Sequence, residues 1–296
     1  MFVKDLYRDE IRAGWLVMAD TKKVWNRQLE ICREVDRICR KHAINYWAGY
    51  GTLIGAARHK GFIPWDDDID LMMMRPEYNR FLTVLDELNE SFAVGLNRSS
   101  VLRISHEQTT LLDDDYFSGK EKPTGLMIEI FPLDVALDGT RSGFFATNAL
   151  NELMGTIYNF DAVVKHVQTG GKIFNDWEFI EIVHALGNLE DQWKFFNIYA
   201  ENLFEQSSSV FWIEDSARNM NRPAFPKRCF RETIYLPFEM IELPAPIGYD
   251  EILTAYYGNW RTPVNDGGKR LGLVHSTDIP YREFLSRIDK EKFLSK

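Results

Sequence analysis

Residues 47–74, WAGYGTLIGAARHKGFIPWDDDIDLMMM, place four aspartates directly before an apolar run. Asp68 and Asp70 flank Ile69. In a strand that begins here, both carboxylates lie on one face and Ile69 points to the other. Two carboxylates about 4 Å apart repel by roughly 4 kcal/mol at an effective dielectric of 20. Such a pair at the start of a buried strand therefore needs a compensating charge.

A hard divalent cation is the compensation that these residue types favour, because Mg²⁺ takes oxygen ligands and is often completed by substrate phosphates. An EF-hand is the rival metal-site pattern, since Asp66, Asp68 and Asp70 alternate and Glu77 follows. The EF-hand reading fails at Leu71, where the sharp turn of that loop requires glycine.

A solvated acidic turn is the alternative that involves no ligand. It fits the second acidic run, residues 113–115, which has polar neighbours and no predicted strand after it. The first run differs because it leads into the apolar residues 71–74.

Gly51 and Thr52 follow a predicted short strand and open a predicted short helix. Backbone amides at such a point, together with the threonine hydroxyl, can hold phosphate oxygens. Taken alone, the pattern also fits a structural turn. The basic residues 58–60 that come next favour the phosphate site.

Glu129 lies in the middle of the apolar strand pattern Leu126–Phe131. A carboxylate buried in a strand needs a partner. A metal site would provide one, and an ion pair with an arginine or a lysine is the alternative.

The composition excludes one class of substrate. The chain has 296 residues, 45% of them hydrophobic, and a formal net charge of −9 with no dense basic block. Proteins that bind a nucleic-acid polymer usually carry a basic stripe, because phosphate neutralisation dominates that binding. No nucleic-acid polymer is therefore expected as a partner, whereas a small phosphorylated ligand stays compatible with the charge.

The three cysteines and the hydropathy indicate a location. Cys32 and Cys39 are too far apart on a predicted helix for a disulfide, and with Cys229 they fit no zinc pattern. No run of about 18 apolar residues and no export signal is evident. We expect a cytoplasmic protein without a transmembrane segment, with peripheral contact at the inner face of the membrane left open.

Periodicity predicts an α/β (α+β) fold with a mixed sheet flanked by helices. Helices are predicted at 22–41, after Pro76 to Leu88, and at 249–258. Strands are predicted at 45–48, 69–74, 92–97, 101–105 and 125–131, the last closed by Pro132. Residues 1–140 are predicted to form the catalytic core. Residues 141–296, mainly helical up to about 205, are predicted to pack on that core and complete the substrate site.

Residues 51–70 resemble the signature of the LicD/fukutin-type phosphotransferases, members of the nucleotidyltransferase-fold superfamily. Residues 128–134, IEIFPLD, resemble the acid-Ile-Phe-Pro-Leu-Asp segment of the family, with Glu129 where aspartate is common. Residues 244–254 and 257–260 resemble its C-terminal region, and Arg270 and His275 resemble its closing basic pair.

The resemblance implies a transferase that takes a phospho-alcohol, with phosphocholine favoured, from a CDP-activated donor such as CDP-choline. The implied acceptor is a hydroxyl of a cell-surface glycan, a teichoic acid or a lipopolysaccharide precursor, and CMP would leave. The implied cofactor is Mg²⁺, as one ion or two, with Mn²⁺ as a substitute.

The resemblance also implies roles for particular residues. Gly51 and Thr52 would hold donor phosphates, and Arg58, Arg270 and His275 are candidates for the charge on the leaving CMP. Metal ligation would come from Asp68, Asp70 and Glu129, with Asp66 in an outer position and Asp67 facing solvent. Either Glu129 or the Asp68/Asp70 pair would accept the proton of the acceptor hydroxyl.

Two other functions remain open from the sequence. A nucleotidyltransferase that moves an NMP from an NTP to a small acceptor could use the same acids. A non-catalytic glycan-binding or assembly protein is the other alternative, against which the intact set of acids argues. A choline donor would favour an aromatic cage. Its candidate rings are Trp65, Tyr116, Phe117, Trp212 and Trp260, among which the sequence does not choose.

Overall fold

The computed structural model describes residues 2–96, 101–112, 124–158, 177–212, 223–264 and 274–287. Its helices are α1 (Ala19–His42), α2 (Tyr50–Ile54), α3 (Arg75–Leu82), α4 (Arg141–Tyr158), α5 (Trp177–Leu186), α6 (Leu189–Leu203), α7 (Tyr249–Tyr257) and α8 (Tyr281–Arg287). A π-helical turn at Gly55–His59 continues α2.

The strands are β1 (Glu10–Arg12), β2 (Trp15–Val17), β3 (Trp47–Ala48), β4 (Asp70–Met74), β5 (Phe92–Leu96), β6 (Leu102–His106), β7 (Thr110–Leu112), β8 (Met127–Val135), β9 (Ser209–Phe211), β10 (Phe225–Pro226), β11 (Thr233–Phe238), β12 (Ile241–Pro246) and β13 (Val274–Ser276). These elements confirm the predicted mixed α/β fold.

The main sheet has seven strands, with β8 at its centre. Strand β4 pairs with β8 in parallel, whereas β3, β6 and β9 join antiparallel to their neighbours. Strand β10 extends the sheet beyond β9, and β5 extends it beyond β6. Strands β9 and β10 come from the second half of the chain, so that half contributes directly to the central sheet.

Helix α1 covers one face of this sheet. Its predicted apolar stripe is buried, with Leu29, Ile31, Val35 and Ile38 all 0% exposed. They pack with β-strand residues such as Leu71 and Ile130 in one hydrophobic cluster. The helix ends at Ala43, whose φ of 49° is left-handed and stops the helical hydrogen bonding.

The predicted helix after Pro76 ends earlier than expected. Helix α3 stops at Leu82, and Leu85 lies on a separate 3₁₀ turn at Leu85–Glu87. Apolar spacing alone could not separate these two segments, because Leu85 and Leu88 still pack against the core. Among the described residues, no helix is long and apolar enough to cross a membrane.

Strand β8 continues through Pro132 to Val135, so the prediction that Pro132 closes it was wrong. The amide of Glu129 donates to Ile69 of the segment entering β4. Strand alternation therefore directs the nitrogen of Pro132 to the opposite edge. On that edge β6 pairs only up to Ile130, and β9 pairs only from Asp134 onward. The nitrogen of Pro132 therefore lies in the gap between the two partner strands. Because no described strand pairs with this edge of β8 at that point, the lack of an N–H at Pro132 removes no hydrogen bond of the sheet.

Arg75, the first residue of α3, and Asp134, near the end of β8, form an ion pair in which both side chains are 0% exposed. The guanidinium donates from Nε and Nη2 to the two carboxylate oxygens at 2.6 and 2.7 Å. Its Nη1 donates to Asn197 of α6 at 2.8 Å. One cation therefore joins α3, the central strand and a helix from the second half of the chain.

We expect Arg75→Gln to lower the free energy of unfolding by about 3–5 kcal/mol, because it leaves a buried carboxylate without its counter-charge. Urea denaturation would measure the loss. Arg231→Gln is the matched control, since that arginine pairs with Glu232 at side-chain exposures of 70% and 66% and should cost under about 1 kcal/mol. Equal costs for the two variants would contradict the role of the buried pair.

Candidate active site

A row of charged side chains crosses three strands on the sheet face opposite α1. Asp70 of β4 lies in register with Glu129 of β8, and Glu129 lies in register with Arg103 of β6. Residues in register on neighbouring strands present their side chains to the same face. All three are partly exposed. The next row, Leu71, Ile130 and Leu102, is 0% exposed, which confirms that the faces alternate.

Glu129 forms an ion pair with Arg103, whose Nε donates to Oε1 at 2.7 Å. The sequence left two partners open for Glu129, a metal ion or a basic residue. In the structure, Glu129 is paired with a basic residue, Arg103. A carboxylate has two oxygens and about four acceptor positions. Metal ligation by Glu129 therefore stays a prediction that is compatible with this pair.

The remaining aspartates precede β4. One carboxylate oxygen from each of Asp66, Asp67 and Asp68 lies within 4.8 Å of the others. Asp67, expected to face solvent, is partly buried and joins this group. Gly51 lies against it, because a Cβ added there would come 2.6 Å from Asp66 Oδ2. The first turn of α2 and the acidic loop are thus in contact.

Helix α1 fixes the backbone of this acidic loop. Trp25 Nε1 donates to the carbonyl of Asp66 at 2.8 Å, and Gln28 Nε2 donates to the carbonyl of Asp67 at 2.6 Å. Neither residue was found from the sequence, since each lies within the α1 periodicity and nothing distinguished it from a packing residue. Arg103 was missed for the same reason, as one residue of a strand pattern.

The segment before the acids fixes the backbone of Asp70. The amide of Gly49 donates to the carbonyl of Asp70 at 2.8 Å. The hydroxyl of Thr52, a residue that is 3% exposed, accepts from the amide of Asp70 at 2.9 Å. Thr52 therefore positions an acid, and its predicted contact with phosphate is not tested by this bond.

The donor set suits a hard divalent cation. Carboxylate oxygens are the ligands that Mg²⁺ prefers, and they are the donors gathered at Asp66, Asp67 and Asp68. Like charges about 4.8 Å apart repel by roughly 3 kcal/mol at an effective dielectric of 20, so a cation would relieve the crowding. Asp70 and Glu129, side by side in register, are the further acids of this region.

Arg58 lies on the π-helical turn at Gly55–His59. Its guanidinium donates to the carbonyl of Trp260 and, from Nε, to His59 Nε2 at 2.8 Å. Burial lowers the pKa of Arg58. Burial also lowers the pKa of His59 to about 4, with the charges of Arg58 and Arg12 as further causes. His59 is therefore a neutral acceptor at neutral pH.

His275, on β13, lies against the start of α1. Its Nε2 is 3.2 Å from Asp20 Oδ2. Asp20 precedes Trp25 by five residues, about 8 Å along the helix axis. The role of His275 toward a leaving nucleotide stays a prediction. Arg270, Tyr116 and Phe117 lie outside the described residues.

We expect Thr52→Val to lower the free energy of unfolding by about 1–3 kcal/mol, because the Asp70 amide loses its acceptor. Thr52→Ser keeps the hydroxyl and should lose clearly less. Denaturant titration of the three proteins would measure this. The role of the hydroxyl would be refuted if valine and serine were equally stable.

We expect His59 to destabilise the fold in acid. Its folded pKa lies below the ordinary value of 6.5, so the unfolded chain binds more protons between about pH 6.5 and 4, and the free energy of unfolding falls as the pH drops through that window. Partial exposure limits the effect to on the order of 1 kcal/mol. Comparison with His59→Gln, which keeps an acceptor for Arg58, isolates the contribution. Identical pH slopes in the two proteins would contradict it.

Comparison with known proteins shows similarity to one family in two ways. Residues 43–145 match the family model described as LicD/FKTN/FKRP, nucleotidyltransferase domain. The chain is 26% identical over 228 residues to the Haemophilus influenzae protein named lipopolysaccharide cholinephosphotransferase LicD, covering 75% of this chain and 84% of that protein. It is also 23% identical over 210 residues to the uncharacterized Rickettsia prowazekii protein RP689, covering 66% and 74%.

The matched family region contains the whole acidic loop, β4 and β8, which carry the charged row and the aspartate group. The similarity to the Haemophilus protein extends well beyond that region. The chain is therefore similar to LicD-type proteins, in the domain at residues 43–145 and, at 26% identity, over 75% of its length.

Proposed function

We propose that this protein transfers phosphocholine from CDP-choline to a hydroxyl of a lipopolysaccharide or related cell-surface glycan precursor, with Mg²⁺ as cofactor and CMP as the leaving product. The observation that carries the proposal is the number of acids gathered where β4 begins. Three aspartate carboxylates lie together in the loop before β4, and Asp70, the first residue of β4, lies in register with Glu129 of β8. Similarity to LicD-type proteins supports an enzyme that transfers a substituted phosphate group.

The transfer forms a bond between the acceptor oxygen and the phosphorus that bears choline, and breaks the bond between that phosphorus and the oxygen of CMP. The acceptor hydroxyl loses a proton, for which Asp68, Asp70 and Glu129 are the candidate bases. Bound Mg²⁺ would neutralise the charge of the diphosphate. The aspartates and Glu129 would hold it there.

The chain's own contribution is largely positioning, since phosphoryl-type transfer depends on placing the reacting groups and stabilising their charge. Trp25 and Gln28 fix the loop of the aspartates, while Gly49 and Thr52 fix Asp70. Arg58 lies on the π-helical turn that continues α2. It is our candidate for the charge of the departing CMP phosphate.

The experiment incubates the protein with CDP-choline, Mg²⁺ and a lipopolysaccharide precursor and measures CMP. Release of CMP with label from choline on the glycan supports the proposal. Pyrophosphate released from an NTP instead would identify a nucleotidyltransferase. Neither product, together with no binding of CDP or divalent metal by calorimetry, would favour a non-catalytic glycan-binding protein.

We expect Asp68→Asn and Asp70→Asn each to lower transfer by at least about 100-fold, on the scale of losing one electrostatic group at a transition state. The free energy of unfolding should change little, because removing one like charge relieves repulsion in the metal-free protein. Asp86→Asn, at an exposed position on the 3₁₀ turn, is the matched control and should keep full activity. Wild-type turnover by either active-site variant would refute the assignment.

A further inference from the structure

Four aromatic rings border the charged row, and we name them the aromatic corner: Tyr50, Phe131, Trp212 and Tyr256. Phe131 follows Glu129 by two residues on β8. It therefore lies on the same sheet face as that acid, about 7 Å further along the strand. Tyr50 directly precedes Gly51, which contacts the acidic loop. The corner is thus adjacent to the acids on two separate chain segments.

The rings of the corner meet edge to face. Phe131 and Trp212 have centroids 4.8 Å apart with planes at 79°. Tyr50 lies 5.2 Å from Phe131 at 75° and 5.6 Å from Tyr256 at 63°. Tyr50 and Trp212 are 6.4 Å apart at 68°. The planes of these three rings, Tyr50, Phe131 and Trp212, are therefore steeply inclined to one another in every pair. Their faces consequently point in different directions.

The corner lies at the border of the core, where Tyr256 packs against buried residues. Phe131 is 6% exposed, but Tyr50, Trp212 and Tyr256 are all only partly buried. The Nε1 of Trp212 is buried and has no hydrogen-bond partner among the described residues.

Tyr50 is held in a strained conformation. Its φ is 42°, in the left-handed region, which costs a non-glycine residue about 1–2 kcal/mol. Such strain persists only where the surroundings impose it, and it concentrates at ligand sites. The ring of Tyr50 meets that of Phe131 edge to face, and Tyr50 directly precedes Gly51, which contacts the acidic loop.

A quaternary ammonium group cannot donate a hydrogen bond, and it binds to the faces of aromatic rings. We infer that the aromatic corner binds the trimethylammonium group of the donor while the acids hold its diphosphate, so that it selects choline over a primary amino alcohol. This inference rests on the proposed function. A primary ammonium is more strongly hydrated and would lose that hydration without gaining hydrogen bonds from the rings.

The test compares the wild type with two variants of Trp212. Trp212→Leu removes the aromatic side chain, and Trp212→Phe keeps an aromatic ring at this position. The readouts are kcat/KM for CDP-choline and for CDP-ethanolamine, and the calorimetric Kd for CDP-choline and for CDP. Phe145→Leu is the control, because that ring is 57% exposed on α4, outside the corner. Tyr256→Leu is a second corner variant, for use if Trp212→Leu fails to fold.

We expect Trp212→Leu to raise the KM and Kd for CDP-choline by roughly 2- to 30-fold and to leave the Kd for CDP unchanged. The preference for CDP-choline over CDP-ethanolamine should fall by the same factor. Trp212→Phe should keep most of the preference, and Phe145→Leu all of it.

Two results overturn the inference alone: an unchanged preference in both corner variants, or equal losses of affinity for CDP and CDP-choline. In either case the wild type would still release CMP from CDP-choline, and the proposed function would stand. If the wild type neither binds nor turns over CDP-choline, the proposed function fails and the inference fails with it.

Discussion

The ion pair of Arg75 with Asp134 joins the two strands that carry the acids. Arg75 directly follows β4, and Asp134 lies near the end of β8, so the pair fixes the far end of the parallel β4–β8 ladder. Because a one-residue slip turns every side chain of a strand to the opposite face, the ladder needs a fixed register. A slip would separate Asp70 from Glu129 and expose the buried residues Leu71 and Ile130.

Contacts to the backbone also place the acids. The carbonyls of Asp66 and Asp67 accept from α1, and the amide and the carbonyl of Asp70 bond to Thr52 and Gly49. None of these bonds uses a carboxylate oxygen. These hydrogen bonds therefore position the acidic segment through its backbone groups.

The sequence was most informative about features that depend on a single helix or strand. The apolar period of α1 was visible in the chain and is present in the structure. Ile69 is buried as expected, but β4 begins only at Asp70, so Asp68 lies before the strand and its pairing with Asp70 stays a prediction. The sequence did not show which side chains on neighbouring strands contact each other. Arg103 is one residue in an alternating pattern, and only the antiparallel register of β6 with β8 brings it to Glu129. The course of β8 through Pro132 likewise depends on where its neighbours end.

The aromatic corner shows the same dependence on tertiary structure. Trp212 was one of five candidate rings in the sequence, with nothing to separate it from ordinary core residues. Tyr50 and Phe131 were not among them, because one belongs to the glycine-rich turn and the other to a strand pattern. Pairing of β8 with β4 and β9 brings these segments together on the face that carries the acids. The register that sets Asp70 beside Glu129 also sets Phe131 two residues further along the same face of β8. Under the proposed function, the two ends of a zwitterionic phospho-alcohol would therefore be recognised by alternate side chains of one strand.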